Sequence, residues 1–203
     1  EPAKRYLKTK KITTVGMPVR QSIDDLALQP PKKNNFEARP FRLFVFGGSQ
    51  GARGINETIC EAVTADPAWL KNIQIIHQTG AADFTRIAQK YQSVGLGKGP
   101  QLEVYEYIHD MEEKYQWADM VICRSGTGTL SELAAVAKPA LLIPFPYAAD
   151  NHQQHNAEVL VQAGAAKMML QKDLSPLVLK QEILRWAGDS DSLNEMGQRI
   201  RQF

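Results

Sequence analysis

Residues Arg124-Ser125-Gly126-Thr127-Gly128-Thr129-Leu130-Ser131-Glu132 combine a turn of small residues with a single carboxylate. The preceding Asp119-Met120-Val121-Ile122-Cys123 is apolar enough for a central strand, and Leu130, Leu133, Ala134 and Val136 suit the buried side of a helix. A strand, a small-residue turn and a helix N-terminus in that order favour an anion. The first-turn N–H groups have no helical partner, and the helix dipole adds partial positive charge, so a pyrophosphate is stabilised without a lysine. Glu132 falls about one turn deeper, roughly 5 Å along the axis, where two carboxylate oxygens can accept from a ribose diol. The alternative reading is structural, with Thr127 or Thr129 capping the helix and Glu132 as the acidic partner of a capping box.

Other segments of unusual composition follow candidate strands. Gly47-Gly48-Ser49-Gln50-Gly51-Ala52-Arg53-Gly54 lets the backbone pass close to a ligand and offers the Ser49 hydroxyl. It lacks the Gly-Lys-Ser/Thr ending of a Walker loop and the Gly-x-Gly-x-x-Gly dinucleotide spacing, and a plain tight turn explains it equally. His77-Gln78-Thr79-Gly80 and Tyr107-Ile108-His109-Asp110-Met111 end two further strands. Ile108 and Met111 could line an apolar slot for a flat base, with backbone groups reading its edge, or belong to the core. Pro144-Phe145-Pro146-Tyr147 leads into Ala148-Ala149-Asp150-Asn151-His152-Gln153-Gln154-His155-Asn156, whose amides and imidazoles suit a polyol. His152 and His155 raise a metal site, but no third ligand is near; the simpler expectation is a helix start capped by Asp150 or Asn151. Asp189-Ser190-Asp191 has the form of a metal-binding Asp-x-Asp, yet its place before an amphipathic segment favours helix capping.

Positioning these turns requires a repeated strand–helix pattern. Apolar runs predict strands at 42–46, 73–77, 102–105, 120–123, 140–144 and 166–170. Helical periodicity predicts helices near 54–63, 82–92, 111–117, 129–136, 153–163, 176–188 and 192–202. Ala163-Gly164 reads as a C-cap and Ser175-Pro176 as an N-cap with proline at the first helical position. The order implies a doubly wound, Rossmann-like α/β domain with a parallel sheet, whose ligands lie beyond the carboxyl ends of the strands.

The 203 residues suffice for one large domain, and 43% hydrophobic with 23% charged residues is ordinary for a globular chain. No run approaches the ~20 apolar residues that span a bilayer, and the N-terminus does not read as a signal peptide. Cys60 and Cys123 sit in apolar patterns without metal-ligand spacing and are expected to be reduced core residues of a cytoplasmic protein. Charge is unevenly placed: residues 1–42 hold ten Lys and Arg against four Asp and Glu, whereas the rest holds fourteen against eighteen. A basic arm can touch nucleic acid or an anionic membrane. Without interleaved aromatics, it reads instead as a solvated connector from 1 to 40, leading into a domain at 41–203, with no nucleic-acid partner.

Together these stretches resemble the C-terminal, donor-binding half of the MurG family of bacterial peptidoglycan glycosyltransferases, which move N-acetylglucosamine from UDP-N-acetylglucosamine onto lipid I to make lipid II. The resemblance rests on Gly16-Met17-Pro18-Val19-Arg20, Gly47 to Ala52, His77 to Gly80, Ile108 to Met111, Cys123 to Gly126, Thr129 to Glu132, Pro144-Phe145, Gln153-Gln154 and Asn156-Ala157, in order over nearly the whole chain. It implies the second Rossmann-like domain of a two-domain GT-B enzyme. Its donor contacts would be Arg20, Ser49 with Gln50, the Ile108 backbone for uracil beside Met111, Thr127, Gly128 and Thr129 for the phosphates, and Ser125 and Gly126 in the same donor site. Glu132 would take the ribose and Gln153 or Gln154 the sugar. Two departures stand out: Gly126-Thr127-Gly128-Thr129 replaces the family's usual Gly-Ala-x-Thr, and 146–152 is slightly longer than usual.

The resemblance further implies an inverting transfer with no metal or cofactor and a location on the cytoplasmic face of the bacterial inner membrane. The acceptor contacts, the membrane patch and the catalytic base are expected in an N-terminal domain, so no catalytic residue is assigned within this chain. Another GT-B UDP-sugar transferase, such as a diacylglycerol glucosyltransferase, and a catalytically inactive UDP-sugar-binding module are the competing classes.

Overall fold

A computed structural model describes residues 17–30, 33, 36 and 39–203. Gly16, most of the basic arm and part of the connector therefore lie outside the described residues. The strands are β1 (Phe41–Phe46), β2 (Ile73–Gln78), β3 (Lys98–Gly99), β4 (Leu102–Tyr105), β5 (Met120–Cys123), β6 (Ala140–Leu142) and β7 (Lys167–Met168). The α-helices are α1 (Gln21–Ala27), α2 (Arg53–Ala65), α3 (Ala81–Ser93), α4 (Met111–Trp117), α5 (Thr127–Ala135), α6 (His152–Gln162), α7 (Pro176–Ala187) and α8 (Ser190–Ile200). The sheet runs β3-β4-β2-β1-β5-β6-β7, parallel throughout except for the antiparallel β3–β4 edge.

Alternation along β1 explains why helices cover both faces. Phe41, Leu43 and Val45 enter a core with Ile55 and Ile59 of α2, Ile87 and Tyr91 of α3, and Leu179 and Ile183 of α7. Phe44 and Phe46 point the other way, into a core with Ile23 of α1, Tyr115 of α4, Leu133 of α5 and Ala157 of α6. Both faces of a central strand being buried is the reason that it reads as a continuous apolar run. At its start, Arg39 makes a two-pronged bond to Asp119 at 2.6 and 2.7 Å, and the Arg42 N–H meets the same carboxylate at 2.9 Å, fixing β1 beside β5.

Three predicted caps are present. Asp189 accepts from the Ser192 N–H at 3.0 Å, Ser175 accepts from the Val178 N–H at 3.3 Å, and Gly164 follows the Ala163 C-cap at φ 64°. Other boundaries moved. The strands predicted at 140–144 and 166–170 contract to Ala140–Leu142 and Lys167–Met168, because β7 is an edge strand registered only on Leu141 and Leu142. Residues 21–27, read from sequence within the connector, form α1, whose Ile23 is fully buried and whose last carbonyl, on Ala27, accepts from Arg201 Nη2 at 2.6 Å. At seven residues, α1 is too short to carry a helical period. The two-residue β3 was likewise not predicted, since only its pairing with β4 defines it.

Candidate nucleotide-sugar site

Strand order reverses between β1 and β5, because the chain moves outward from β1 through β2 to β4 and then returns to start β5 on the other side. The loops after β1 and β5 therefore diverge and leave a crevice at the carboxyl edge, the usual ligand position in such sheets. Around it lie the β1–α2, β2–α3, β4–α4, β5–α5 and β6–α6 connections, which together with the starts of the helices they enter hold the sequence-predicted donor residues other than Arg20, which precedes α1.

The β1–α2 loop closes a turn with Gly51 N–H on Gly48 O at 3.0 Å and leaves Ser49 and Gln50 exposed at its tip. Gly51 sits at φ 77°, and a Cβ there would lie 1.9 Å from Thr79 O, so this glycine is required by the packing of one loop on the next. Gln78 joins the third loop: its Nε2 donates to Gly48 O at 3.2 Å, and its Oε1 accepts the Ile108 N–H at 2.9 Å. Ile108 and Met111 are 2% and 7% exposed and pack in the core. Their side chains thus serve the fold and do not line an open slot.

Gly126 is the N-cap of α5 and has no side chain to cap with; the helix starts at Thr127, two residues before the predicted position. Neither Thr127 nor Thr129 caps it, which removes the capping-box explanation for Glu132. The first regular helical bond runs from Leu130 N–H to Gly126 O at 3.0 Å, so the N–H groups of Thr127, Gly128 and Thr129 stand in the turn that the helix itself does not satisfy. A Cβ on Gly126 or on Gly128 would meet no heavy atom within 4 Å, so this end opens to space. Glu132 Oε2 accepts from the Tyr115 hydroxyl at 2.8 Å. Burial, followed by the Glu132 charge, holds the Tyr115 phenol well above its ordinary pKa, while Arg20 is near enough to act on it in the opposite sense. Arg20 also donates from Nη1 to His109 O at 3.3 Å, which brings the N-terminal segment to the same rim.

On the other side of the crevice, the Ser125 hydroxyl donates to Gln153 O at 2.7 Å, and Asn156 Nδ2 reaches Ser125 O at 3.3 Å and Thr127 Oγ1 at 3.5 Å. Gln153 Oε1 accepts from the Phe145 N–H at 3.0 Å, whereas Gln154 Nε2 turns along the helix to Glu158 at 2.9 Å. The two glutamines are therefore not equivalent: Gln153 is held among the crevice loops. Asp150 and Asn151 do not cap α6 with their side chains; both adopt left-handed backbone, at φ 49° and 52°, a costly conformation for non-glycine residues. His155 pairs with Glu158, His152 with Ala149 O, and no group of three potential metal ligands occurs among the described residues.

Arg124 lies behind this site, 9% exposed, donating to Ile143 O, Pro144 O and Gln171 Oε1 at 3.0, 2.9 and 2.6 Å and standing over the Phe145 ring. Burial lowers its pKa to about 10, so it carries positive charge at neutral pH. Cys60 and Cys123 are both unpaired and buried, and burial raises both thiols, Cys60 to about 11.

A buried polar chain supports the β2–α3 turn. Asn56 Nδ2 donates to Thr79 O at 2.8 Å and to Asp83 at 2.9 Å, leaving Asn56 Oδ1 to accept from His77 Nε2 at 3.1 Å. His77 Nδ1 must then accept from the Tyr91 hydroxyl at 2.9 Å, which defines one neutral tautomer. Burial drives the His77 pKa down to about 3 against the weaker opposing effect of Asp83. Sequence reading missed Tyr115, Asn56 and the bridging role of Gln78; a polar residue inside an apolar period was the available signal for Asn56 and Tyr115.

Cavities of about 250 and 650 Å³ lie elsewhere, beside Ala137–Pro139 before β6 and at the starts of β1 and β2. Neither touches the carboxyl edge. The sheet order and the loops at its carboxyl edge define a Rossmann-like domain.

Residues 42–203 match the glycosyltransferase family 28 C-terminal domain, and the chain belongs to that family. It is 39% identical over 201 residues to the UDP-N-acetylglucosamine--N-acetylmuramyl-(pentapeptide) pyrophosphoryl-undecaprenol N-acetylglucosamine transferase of Bdellovibrio bacteriovorus, covering 99% of this chain and 54% of that protein. The similarly named Shewanella amazonensis protein is 41% identical over 189 residues, covering 93% and 51%. Among solved structures, Acinetobacter baumannii MurG superposes with a TM-score of 0.74 at 29% identity, over 98% of this chain and 54% of that one. The chain thus spans about half the length of the relatives it matches. The doubly wound α/β architecture expected from the sequence is the fold of this family.

Proposed function

We propose that this chain is the donor-binding half of an inverting glycosyltransferase that moves N-acetylglucosamine from UDP-N-acetylglucosamine to lipid I, forming lipid II. The carrying observation is the uncapped N-terminus of α5 at the strand-order reversal, with the Glu132 carboxylate one turn in. The hard step is growth of negative charge on the departing diphosphate as the acceptor 4-hydroxyl attacks the anomeric carbon. Preorganised N–H groups of Thr127, Gly128 and Thr129 stabilise that charge without reorganisation, and the buried Arg124 cation adds a favourable field.

Glu132 orients the ribose and Arg20 closes the nucleotide from the N-terminal side. The Ile108 N–H is already engaged, so its carbonyl reads the uracil; Ser49 and Gln50 line the phosphate side. Gln153 presents its Nε2 to the sugar, because its Oε1 is held by the Phe145 N–H. Proton removal from the acceptor, acceptor binding and attachment to the inner face of the bacterial cytoplasmic membrane belong to the part of the enzyme that this chain does not span. No helix among the described residues is long and apolar enough to cross a membrane, in keeping with peripheral attachment.

Calorimetric titration of the chain with UDP-N-acetylglucosamine, UDP-glucose and UDP tests the reading. Binding of all three with preference for the first is expected. Preference for UDP-glucose would move the chain to another UDP-sugar transferase, and no binding of UDP would sink the proposal.

A further inference from the structure

The β6–β7 ladder ends where Met169 N–H meets Leu142 O at 3.0 Å, and the chain then leaves the sheet through Ile143 and Pro144. Ile143 still donates to Cys123 O at 2.8 Å. The carbonyls of Ile143 and Pro144 lie past the last strand pair, and Arg124 serves both from Nη1, at 3.0 and 2.9 Å, while its Nη2 reaches Gln171 Oε1 at 2.6 Å. One planar group from the end of β5 thus crosses the end of β6 to the segment after β7. Gln171 is itself confined, since a Cβ on Gly54 at the start of α2 would come within 2.8 Å of its side chain. The Phe145 ring covers the guanidinium at 5.5 Å. Burying a cation costs free energy, and none of these three acceptors is a carboxylate that would offset it. An apolar side chain would fill the space at lower cost, so the geometry points to what the guanidinium holds in place.

We infer that Arg124 is a positioning residue for Gln153, and that through it Arg124 sets how strongly the site holds the sugar of a UDP-sugar relative to its nucleotide; this rests on the donor-site reading given above. The link is a single peptide group. The Pro144 carbonyl and the Phe145 N–H belong to one trans plane and point in opposite directions, so holding the carbonyl on Arg124 aims the N–H. That N–H donates to Gln153 Oε1 at 3.0 Å. With its oxygen engaged, the Gln153 amide can present only Nε2 to a ligand hydroxyl. The next residue, Ser125, holds the Gln153 main-chain carbonyl at 2.7 Å. Consecutive residues at the end of β5 therefore fix Gln153 by its side chain and by its backbone, and only the first acts at a distance.

The test reads the affinity for UDP-N-acetylglucosamine relative to UDP, a ratio that a general loss of stability does not change. Both affinities are measured by calorimetry for the unaltered chain, Arg124→Lys, Gln153→Ala and the double variant, with folding checked by circular dichroism. Lysine keeps the positive charge but carries its donors on one nitrogen, which cannot hold two carbonyls and Gln171 in one plane. Arg124→Lys is expected to lower the ratio about tenfold, the worth of one misplaced hydrogen bond. Gln153→Ala lowers it as well, and adding Arg124→Lys then lowers it no further, because a residue that acts through Gln153 has nothing left to act on. Equal weakening of both ligands in folded Arg124→Lys, or a further fall of the ratio in the double variant, overturns the inference. Should Arg124→Lys fail to fold, Gln171→Leu releases Nη2 while leaving Arg124 in place; it is expected to lower the ratio, and an unchanged ratio overturns the inference. If Gln153→Ala itself leaves the ratio unchanged, the sugar assignment fails and the inference with it, a result distinct from a ratio that falls in Gln153→Ala and holds in Arg124→Lys.

Discussion

Replacing Glu132 by alanine probes the proposed nucleotide site and the fold at once, because its carboxylate holds Tyr115 and is assigned the ribose diol. Oε2 holds the hydroxyl of Tyr115, a fully buried residue, at 2.8 Å. The remaining acceptor capacity is the part assigned to the ribose in the proposed reading. Loss of charge-assisted bonds to a ribose diol should cost about 1–3 kcal/mol of UDP affinity, a factor of roughly 5 to 150. The orphaned Tyr115 hydroxyl should separately cost about 1–3 kcal/mol of stability. Combining Tyr115→Phe with Glu132→Ala removes the orphan, so stability recovers in part while the binding loss persists. Calorimetry with UDP and 2′-deoxy-UDP isolates the ribose contact: the preference for UDP should collapse toward one in Glu132→Ala, and denaturant unfolding reports the stability effect. A Glu132→Ala protein that still prefers UDP over 2′-deoxy-UDP by the original ratio would show that this carboxylate serves only Tyr115.

His77 should make the fold sensitive to mild acid. Its folded pKa is about 3 against an ordinary 6.5, so the unfolded chain takes up the proton first and stability is lost as pH falls from about 6.5 toward 3. The slope approaches 1.4 kcal/mol per pH unit; comparing urea unfolding at pH 7 and 4.5 should give a smaller difference in His77→Phe than in the unaltered chain. EDTA should leave UDP binding unchanged, and Asp189→Ala should cost about 1 kcal/mol of stability as a lost cap without altering affinity; a metal requirement abolished by Asp189→Ala would contradict both assignments. Gln153→Ala should weaken UDP-N-acetylglucosamine far more than UDP, whereas Gln154→Ala should not, since its amide is committed to Glu158; equal effects of the two substitutions in a titration would shift the sugar contact to Asn156.

Local pattern determined much of this protein. The apolar runs over 42–46, 73–77 and 120–123 match central strands because residues buried on both faces leave no polar alternation to misread. Asp189, Ser175 and Gly164 were legible as caps because capping depends on residues within three or four positions. The small-residue turn at 125–128 was visible as a helix entrance for the same reason.

Tertiary structure decided what those elements do to one another. Glu132 was legible as a carboxylate near a helix start, but only the tertiary fold brings Tyr115 of α4 to it, and the helix start after Gly126 removes its capping role. Gln153 and Gln154 are adjacent and chemically identical, and the rotation of α6 alone sends one to the Phe145 amide and the other to Glu158. The Gln78 bridge and the His77–Asn56 chain join residues twenty or more positions apart. Propensity acts through neighbours in sequence, whereas the satisfaction of a buried polar atom depends on whichever backbone the sheet and its helices bring within about 3 Å.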